Sequence, residues 1–151
     1  MKSLIVFDTN YGMTEKIAVA IQSGMKEGGL SDVVIMKAEA SAEEDFKTAD
    51  VWIFGSPVHI GGATGTTKKA LKMALKSGTN GKKGTSFDTR FANSKGKAAA
   101  EKMADAMKEE GVIIVVEPQW FAVLKTKGPL ADGEENKAKD FGKMIASALS
   151  K

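Results

Sequence analysis

Short apolar runs alternate along this chain with longer stretches in which apolar residues recur every three or four positions. The strongest runs cover residues 4–7, 33–36, 51–54 and 112–116, and a weaker candidate covers residues 83–88. Unbroken apolar runs of this length predict strands that are buried on both faces, as in a parallel sheet covered by helices.

The stretches between these runs have the spacing of amphipathic helices. One apolar face begins at Met13 and ends before the pair Gly28–Gly29, a second lies in residues 99–107 before Gly111, and a third lies in residues 138–149. Glycine directly after an apolar face is a common helix end. A shorter helix is predicted over residues 66–76, and a turn over residues 42–46.

This alternation of strands and helices predicts an α/β fold with a doubly wound, five-stranded parallel sheet in the order 2-1-3-4-5. In that order the winding reverses between strands 1 and 3, which opens a crevice beyond the carboxyl ends of the strands. We therefore expect functional residues in the loops after Asp8, Gly55 and Phe87. Since the chain has no linker or low-complexity tract, residues 1–151 are predicted to form a single domain.

The composition narrows the chemistry. The 151 residues include no cysteine, which excludes disulfides, thiolate nucleophiles and cysteine-ligated metal or iron–sulfur centres, so redox chemistry needs a bound cofactor. No apolar run approaches the roughly 20 residues of a membrane span. We therefore expect a cytoplasmic protein that has no membrane span. The net charge is +3, with a lysine cluster in residues 68–83. Without interleaved aromatic residues this cluster is typical of a solvated helix face, so we do not expect nucleic-acid binding.

The loop after the first strand, residues 9–14, has the composition of an anion site. Gly12 allows close approach of the backbone, the following helix start offers free N–H groups, and Thr9 and Thr14 add hydroxyls. Ordinary helix capping by Thr9 or Asn10 is the alternative explanation. The dinucleotide pattern Gly-x-Gly-x-x-Gly is absent here, and residues 61–68 have the wrong spacing and order for a nucleotide-triphosphate loop.

Two segments resemble a known family. Residues 5–21, IVFDTNYGMTEKIAVAI, resemble the FMN-phosphate signature of flavodoxins: two aliphatics, an aromatic, a hydroxyl residue, Gly-x-Thr, and then a helical alanine and aliphatic. Residues 52–62, WIFGSPVHIGG, are similar to the second flavin loop of that family, and the similarity extends over essentially the whole chain. The resemblance implies a flavodoxin-like fold that binds FMN, with the phosphate in loop 9–14 and the isoalloxazine ring between the later loops.

The phosphate loop departs from the family at two positions. Tyr11 and Met13 stand where typical flavodoxins carry a threonine and an asparagine. Losing two hydrogen bonds to a dianion predicts weaker binding, unless backbone donors or the Tyr11 phenol compensate.

The FMN-binding residues that the resemblance implies lie in three loops. They are Thr9, Asn10, Tyr11, Gly12, Met13 and Thr14 in the first; Ser56, Pro57, Val58, His59, Ile60, Gly61 and Gly62 in the second; and Asp88, Thr89, Arg90 and Phe91 in the third. No catalytic residue and no metal site are predicted.

Within these loops several residues have a specific expected role. Gly61 or Gly62 would turn a peptide whose carbonyl accepts a hydrogen bond from the reduced flavin, although a simple turn explains the same glycines. His59 would lie beside the ring and couple proton uptake to reduction, or stay on the surface without a role. Phe91 would supply a stacking face. Arg90 would reach the N1/O2 edge and raise the flavin potential, the alternative being a surface cation.

The leading functional hypothesis is an FMN-dependent electron carrier that shuttles electrons between redox partner proteins. The basic net charge favours an acidic partner, because complementary charge speeds encounter. A small flavoenzyme of similar fold, such as a quinone reductase or a menaquinone-dependent protoporphyrinogen oxidase, is the alternative, but short ring loops without a substrate lid favour the carrier. A flavin-free binding module is the third possibility. In the long segment 119–133, Trp120 and Phe121 are expected to pack against the sheet edge, the alternatives being contact with a partner or cover of the flavin.

Overall fold

A single parallel sheet forms the centre of the computed structural model, which describes residues 1–151. Its strands are β1 (Ser3–Phe7), β2 (Val33–Lys37), β3 (Val51–Pro57), β4 (Lys83–Phe91), β5 (Ile113–Ile114) and β6 (Gln119–Val123). The order is β2-β1-β3-β4-β5, and β6 also pairs with β4, so that two short strands share the fifth position. The predicted doubly wound α/β fold with order 2-1-3-4-5 is confirmed.

Five helices cover the two faces of the sheet: α1 (Met13–Glu27), α2 (Glu43–Thr48), α3 (Gly65–Ser77), α4 (Ala99–Glu109) and α5 (Glu134–Leu149), with a 3₁₀ turn at Ala38–Ala40. Side chains alternate between faces along each strand. In β1, Leu4 and Val6 join the core under α2, α3 and α4, whereas Ile5 and Phe7 join the core under α1 and α5. Because both cores are apolar, the central strands appear in the sequence as unbroken apolar runs.

Helices α1 and α5 lie so close together that glycine is required where they meet. A Cβ atom on Gly142 would fall well inside contact distance of the Ile21 carbonyl oxygen, and one on Gly24 would do the same at the Lys139 carbonyl. This close packing fixes the position of α1, whose first two residues, Met13 and Thr14, belong to the predicted phosphate loop. No helix in the structure has both the length and the apolar composition needed to cross a membrane.

Two predicted boundaries are wrong, and both affect the site. Strand β4 continues to Phe91 rather than ending near Asp88, so the third predicted loop is the end of a strand. The fifth apolar run forms only the two-residue strand β5, and pairing with β4 resumes in β6. Pro118 lies in this interruption and has no N–H to donate to a ladder. The predicted turn at 42–46 is the short helix α2.

Candidate cofactor site

A cavity of about 330 Å³ opens beyond the carboxyl ends of β1, β3 and β4, at the predicted crevice. This volume lies in the range of small-molecule sites. The chain segments that follow β1 and β3, together with the end of β4, line most of it. The lining residues are Thr9, Asn10, Tyr11, Met13, Thr14, Pro57, Val58, His59, Ile60, Thr89, Arg90, Phe91, Ser94, Val123 and Thr126.

The loop 9–14 presents backbone donors to this cavity. Gly12 has a φ of 92°, and its N–H donates to Thr9 Oγ1 at 2.8 Å, which holds the turn closed. Thr9 N in turn donates to Asp8 Oδ1 at 2.9 Å. Helix α1 begins directly after Gly12, and no side chain caps it. The alternative that Thr9 or Asn10 caps the helix is therefore wrong.

The free donors of this loop form a set suited to an anion. The backbone N–H groups of Asn10, Tyr11, Met13, Thr14 and Glu15 make no hydrogen bond within the protein. Such groups at a helix start, reinforced by the helix dipole, bind phosphate well. The donor chemistry therefore fits the ribityl phosphate of FMN even though Tyr11 and Met13 replace the usual side-chain donors.

The two unusual residues of the loop are held by contacts of their own. Lys127 Nζ lies 5.6 Å from the centre of the Tyr11 ring, which is half exposed at the cavity mouth. Met13 packs against Gly128, where a Cβ would come within 2.7 Å of the Met13 sulfur. Lysine thus adds positive charge beside the phosphate loop from a segment that lies far away in sequence.

The loop after β3 ends in a tight two-residue turn. His59 N donates to Gly62 O at 2.7 Å and Gly62 N donates to His59 O at 3.2 Å. The central residues, Ile60 and Gly61, have φ values of 52° and 75°, as in a type I′ turn. A β-branched residue rarely adopts positive φ, yet Ile60 does so with 96% of its surface exposed. Lys102 Nζ donates to Gly61 O at 2.9 Å.

Five of the predicted residues do not line the cavity: Gly12, Ser56, Gly61, Gly62 and Asp88. Ser56 is buried, and its hydroxyl donates to Pro57 O at 2.8 Å and accepts from Thr64 N at 3.0 Å. Through these two hydrogen bonds Ser56 holds the loop after β3 in place without facing the cavity. Gly12 shapes the turn of loop 9–14, and Gly61 and Gly62 form the turn between His59 and Gly62.

Asp88 and Arg90 form a buried ion pair. Arg90 Nε donates to Asp88 Oδ1 at 2.8 Å, and Arg90 Nη2 donates to Asp88 Oδ2 at 2.6 Å and to Glu101 Oε1 at 2.7 Å. Only 4% of Arg90 is exposed, so the alternative of a surface cation is wrong. Arg90 does line the cavity, but with its charge paired rather than free.

For both Asp88 and Glu101, burial acts to raise the pKa of the carboxyl group and hydrogen bonding acts to lower it. Burial raises the pKa of Asp88, against the hydrogen bonds from Arg90 and Ala100 N. For Glu101 desolvation also acts to raise the pKa, but the hydrogen bonds from Ala98 N and Arg90 outweigh it, and the pKa is lowered. Glu101, on α4, was not among the predicted residues, because nothing in its own segment marks it as part of the site.

Two cavity residues were missed for a structural reason. Val123 ends β6 and Thr126 follows it, so they reach the cavity only because β6 pairs with the end of β4. The unusual length of the segment 119–133 was the signal in the sequence. Ser94 lies in the loop after β4, beside the predicted residues.

The fold and this site together define a flavodoxin-like, FMN-binding protein. The sequence model of NADPH-dependent FMN reductases matches residues 26–128, more than half of the chain, and the chain belongs to that family. The predicted resemblance and the predicted cofactor, FMN, are thereby confirmed.

The similarity to known proteins extends over the whole chain. A flavodoxin of Clostridium saccharobutylicum is 24% identical and is matched over 99% of this chain and 98% of its own length. Among solved structures, a flavodoxin from the domain Archaea has a TM-score of 0.82 at 21% identity, with both chains fully covered. The rubredoxin oxygen:oxidoreductase of Desulfovibrio gigas has a TM-score of 0.80 at 19% identity, with 99% of this chain matching 36% of that one.

Proposed function

We propose that this protein is an electron carrier that uses bound FMN to pass electrons between redox partner proteins. The observation that carries the proposal is the match to an archaeal flavodoxin over the full length of both chains. FMN supplies the one- and two-electron chemistry, and the protein supplies binding, orientation and electrostatics.

Residues at the two ends of the cavity would bind different parts of FMN. The free N–H groups of loop 9–14 and the Thr9 hydroxyl would hold the phosphate, with Lys127 adding positive charge nearby. Val58, His59 and Phe91 would surround the ring at the other end, with Phe91 as the proposed stacking face. Met13 would contact FMN without replacing a side-chain donor, whereas the Tyr11 phenol would be able to donate one hydrogen bond.

Three lysines at the rim support an acidic redox partner. Lys102 Nζ donates a hydrogen bond to Gly61 O, Lys68 Nζ lies close to Gly62, and Lys127 lies beside Tyr11. A partner with carboxylates around its own redox centre would be steered toward this rim, most strongly at low salt.

The family match favours a second candidate function, the NADPH-dependent reduction of flavin. The two functions differ in the source of the electrons that reduce the bound FMN. A carrier needs only electrons from another protein, whereas a reductase oxidises NADPH by itself.

The test is to titrate the protein, freed of flavin, with FMN, and then to incubate the FMN-loaded protein with NADPH under anaerobic conditions. We expect one FMN per chain and bleaching of flavin absorbance by NADPH only when a separate reductase is added. Rapid bleaching by NADPH alone would replace the carrier with the reductase, and the absence of FMN binding would reject both.

A further inference from the structure

A cluster of two carboxyl groups and one cation lies at the wall of the FMN cavity, although only the cation, Arg90, lines the cavity itself. Arg90 is the only cation in a cluster with Asp88 and Glu101, at nitrogen–oxygen distances of 2.6 and 2.7 Å. All the oxygens in these contacts accept hydrogen bonds from the guanidinium, as ionised carboxylates do. With both carboxylates ionised, the cluster keeps an excess of one negative charge.

Two of the three side chains in this cluster are shielded from water. Asp88 is fully buried and Arg90 nearly so, whereas the Glu101 side chain is 25% exposed, and Arg90 connects both carboxylates to the cavity that it lines. The Trp120 ring lies over the guanidinium at 5.1 Å and Lys137 lies 5.5 Å from the same ring. A charge in such a place acts through a lower effective dielectric than a charge on the surface.

We propose that Glu101 sets the redox potential of the bound flavin: it leaves the cluster around Arg90 negative, which disfavours reduced FMN relative to oxidised FMN. Two-electron reduction, FMN + 2 e⁻ + H⁺ → FMNH⁻, adds one negative charge to the ligand. The paired Arg90 therefore lacks the potential-raising effect that a free cation would have. This inference rests on the FMN site of the proposed function.

Glu101 is also the member of the cluster that can lose its charge without losing its contacts. A single oxygen, Oε1, accepts both from Arg90 Nη2 at 2.7 Å and from Ala98 N at 2.9 Å. The amide oxygen of glutamine can accept the same two bonds. Glu101→Gln therefore removes one charge and leaves the hydrogen bonds in place, which makes Glu101 a positioning residue that can be tested by its charge alone.

The same helix offers a matched control. Asp105 pairs with Lys97 at 2.9 Å in an exposed salt bridge, so Asp105→Asn makes the same change in charge on the surface of α4. The experiment is a potentiometric titration with dithionite of FMN-loaded wild type, E101Q, E101D and D105N. Dissociation constants of oxidised FMN and circular dichroism of each variant complete the comparison.

We expect E101Q to raise the midpoint potential and to change the ratio of the dissociation constants of oxidised and reduced FMN about tenfold, which corresponds to ~30 mV for a two-electron couple. E101D, which keeps the charge, and D105N should stay close to wild type. A shift in E101Q no larger than that in D105N, or a lowered potential, would overturn the inference. The proposed function would survive that result, since it fails only if FMN does not bind, in which case both are rejected.

A second measurement on the wild type does not depend on any variant folding. Between about 0.01 M and about 1 M salt the Debye length falls from ~30 Å to ~3 Å. If the buried cluster sets the potential, the wild-type midpoint should change little over this range. A large dependence on salt would assign the effect to surface charges and overturn the role of Glu101.

Discussion

The hydroxyl oxygens of Thr14 and Thr89 lie 2.9 Å apart, although 75 positions separate the two residues in the chain. Both side chains are buried, and both residues line the cavity. This hydrogen bond joins the first turn of α1 to the end of β4, and so links loop 9–14 to the strand that carries Arg90.

Replacing Thr14 by valine should weaken both the fold and the site. The substitution leaves the Thr89 hydroxyl buried without a partner, which costs about 1–3 kcal/mol. We expect T14V to lower the free energy of unfolding of the flavin-free protein by that amount and to weaken FMN binding. Denaturant unfolding and FMN titration measure the two effects. Thr14→Ser keeps the hydroxyl and should restore most of the loss; if T14S behaves like T14V, the hydrogen bond is not the cause.

Asp88 and Glu101 should differ sharply in their effect on stability. Both Asp88 oxygens are occupied, by three N–H donors from Arg90 and Ala100, so an asparagine amide would face a donor. Breaking such a buried pair costs about 3–5 kcal/mol. Denaturant unfolding should therefore show a large loss for Asp88→Asn and a loss below about 1 kcal/mol for E101Q. Equal losses would mean that the two carboxylates carry the network equally.

The lowered pKa of Glu101 predicts a pH dependence of stability with a definite sign. Its ionised form is favoured in the folded protein, so it stabilises the fold above its ordinary pKa of 4.5, and this contribution disappears as the pH falls further. The raised pKa of Asp88 acts in the opposite direction, but it is present in both proteins when wild type is compared with E101Q.

The measurement is the free energy of unfolding of wild type and E101Q over a series of pH values. We expect the advantage of the wild type to shrink as the pH falls below 4.5. An advantage that stays constant to the acid limit of folding would show that the charge of Glu101 does not contribute to stability.

The turn at Ile60 should tolerate a residue that prefers its backbone conformation. Asparagine is favoured at the first central position of a type I′ turn, whereas isoleucine at positive φ is strained by about 1 kcal/mol or more. Ile60→Asn should therefore raise the free energy of unfolding by about 1 kcal/mol. Ile113→Asn, at a residue that is 56% exposed with an ordinary negative φ, should give no such gain. An unchanged stability in I60N would mean that the turn carries no strain.

Charge reversal at the rim should change electron transfer according to the charge of the acceptor. We expect the double variant K68E/K102E, once reduced, to transfer electrons more slowly to anionic ferricyanide and faster to basic cytochrome c, because steering follows charge complementarity. Stopped-flow mixing at low salt measures both rates. K26E/K108E carries the same change at the far ends of α1 and α4 and should behave like wild type. Equal effects in the two variants would attribute the change to net charge rather than to the rim.

The sequence was sufficient for the order of the sheet because β1 and β3 are buried on both faces and leave unbroken apolar runs. It was also sufficient to predict the turn at residues 9–14, where Gly12 and the start of α1 are adjacent in the chain. The sequence was not sufficient to predict that the charge of Arg90 is paired. Its partners are Asp88, two residues earlier in the same strand, and Glu101, eleven residues later on α4, and nothing local distinguishes a paired cation from a free one. Val123 was missed because pairing with β4 resumes only after Pro118.

The segment after β6 folds back and covers one edge of the sheet. An open sheet edge exposes unpaired N–H and C=O groups that can recruit a strand from another molecule. Here Leu124 N donates to Pro129 O and Ala131 N donates to Ala122 O, so that this segment occupies the outer side of β6, and β5 is only two residues long. This edge of the sheet is thus closed to strand exchange.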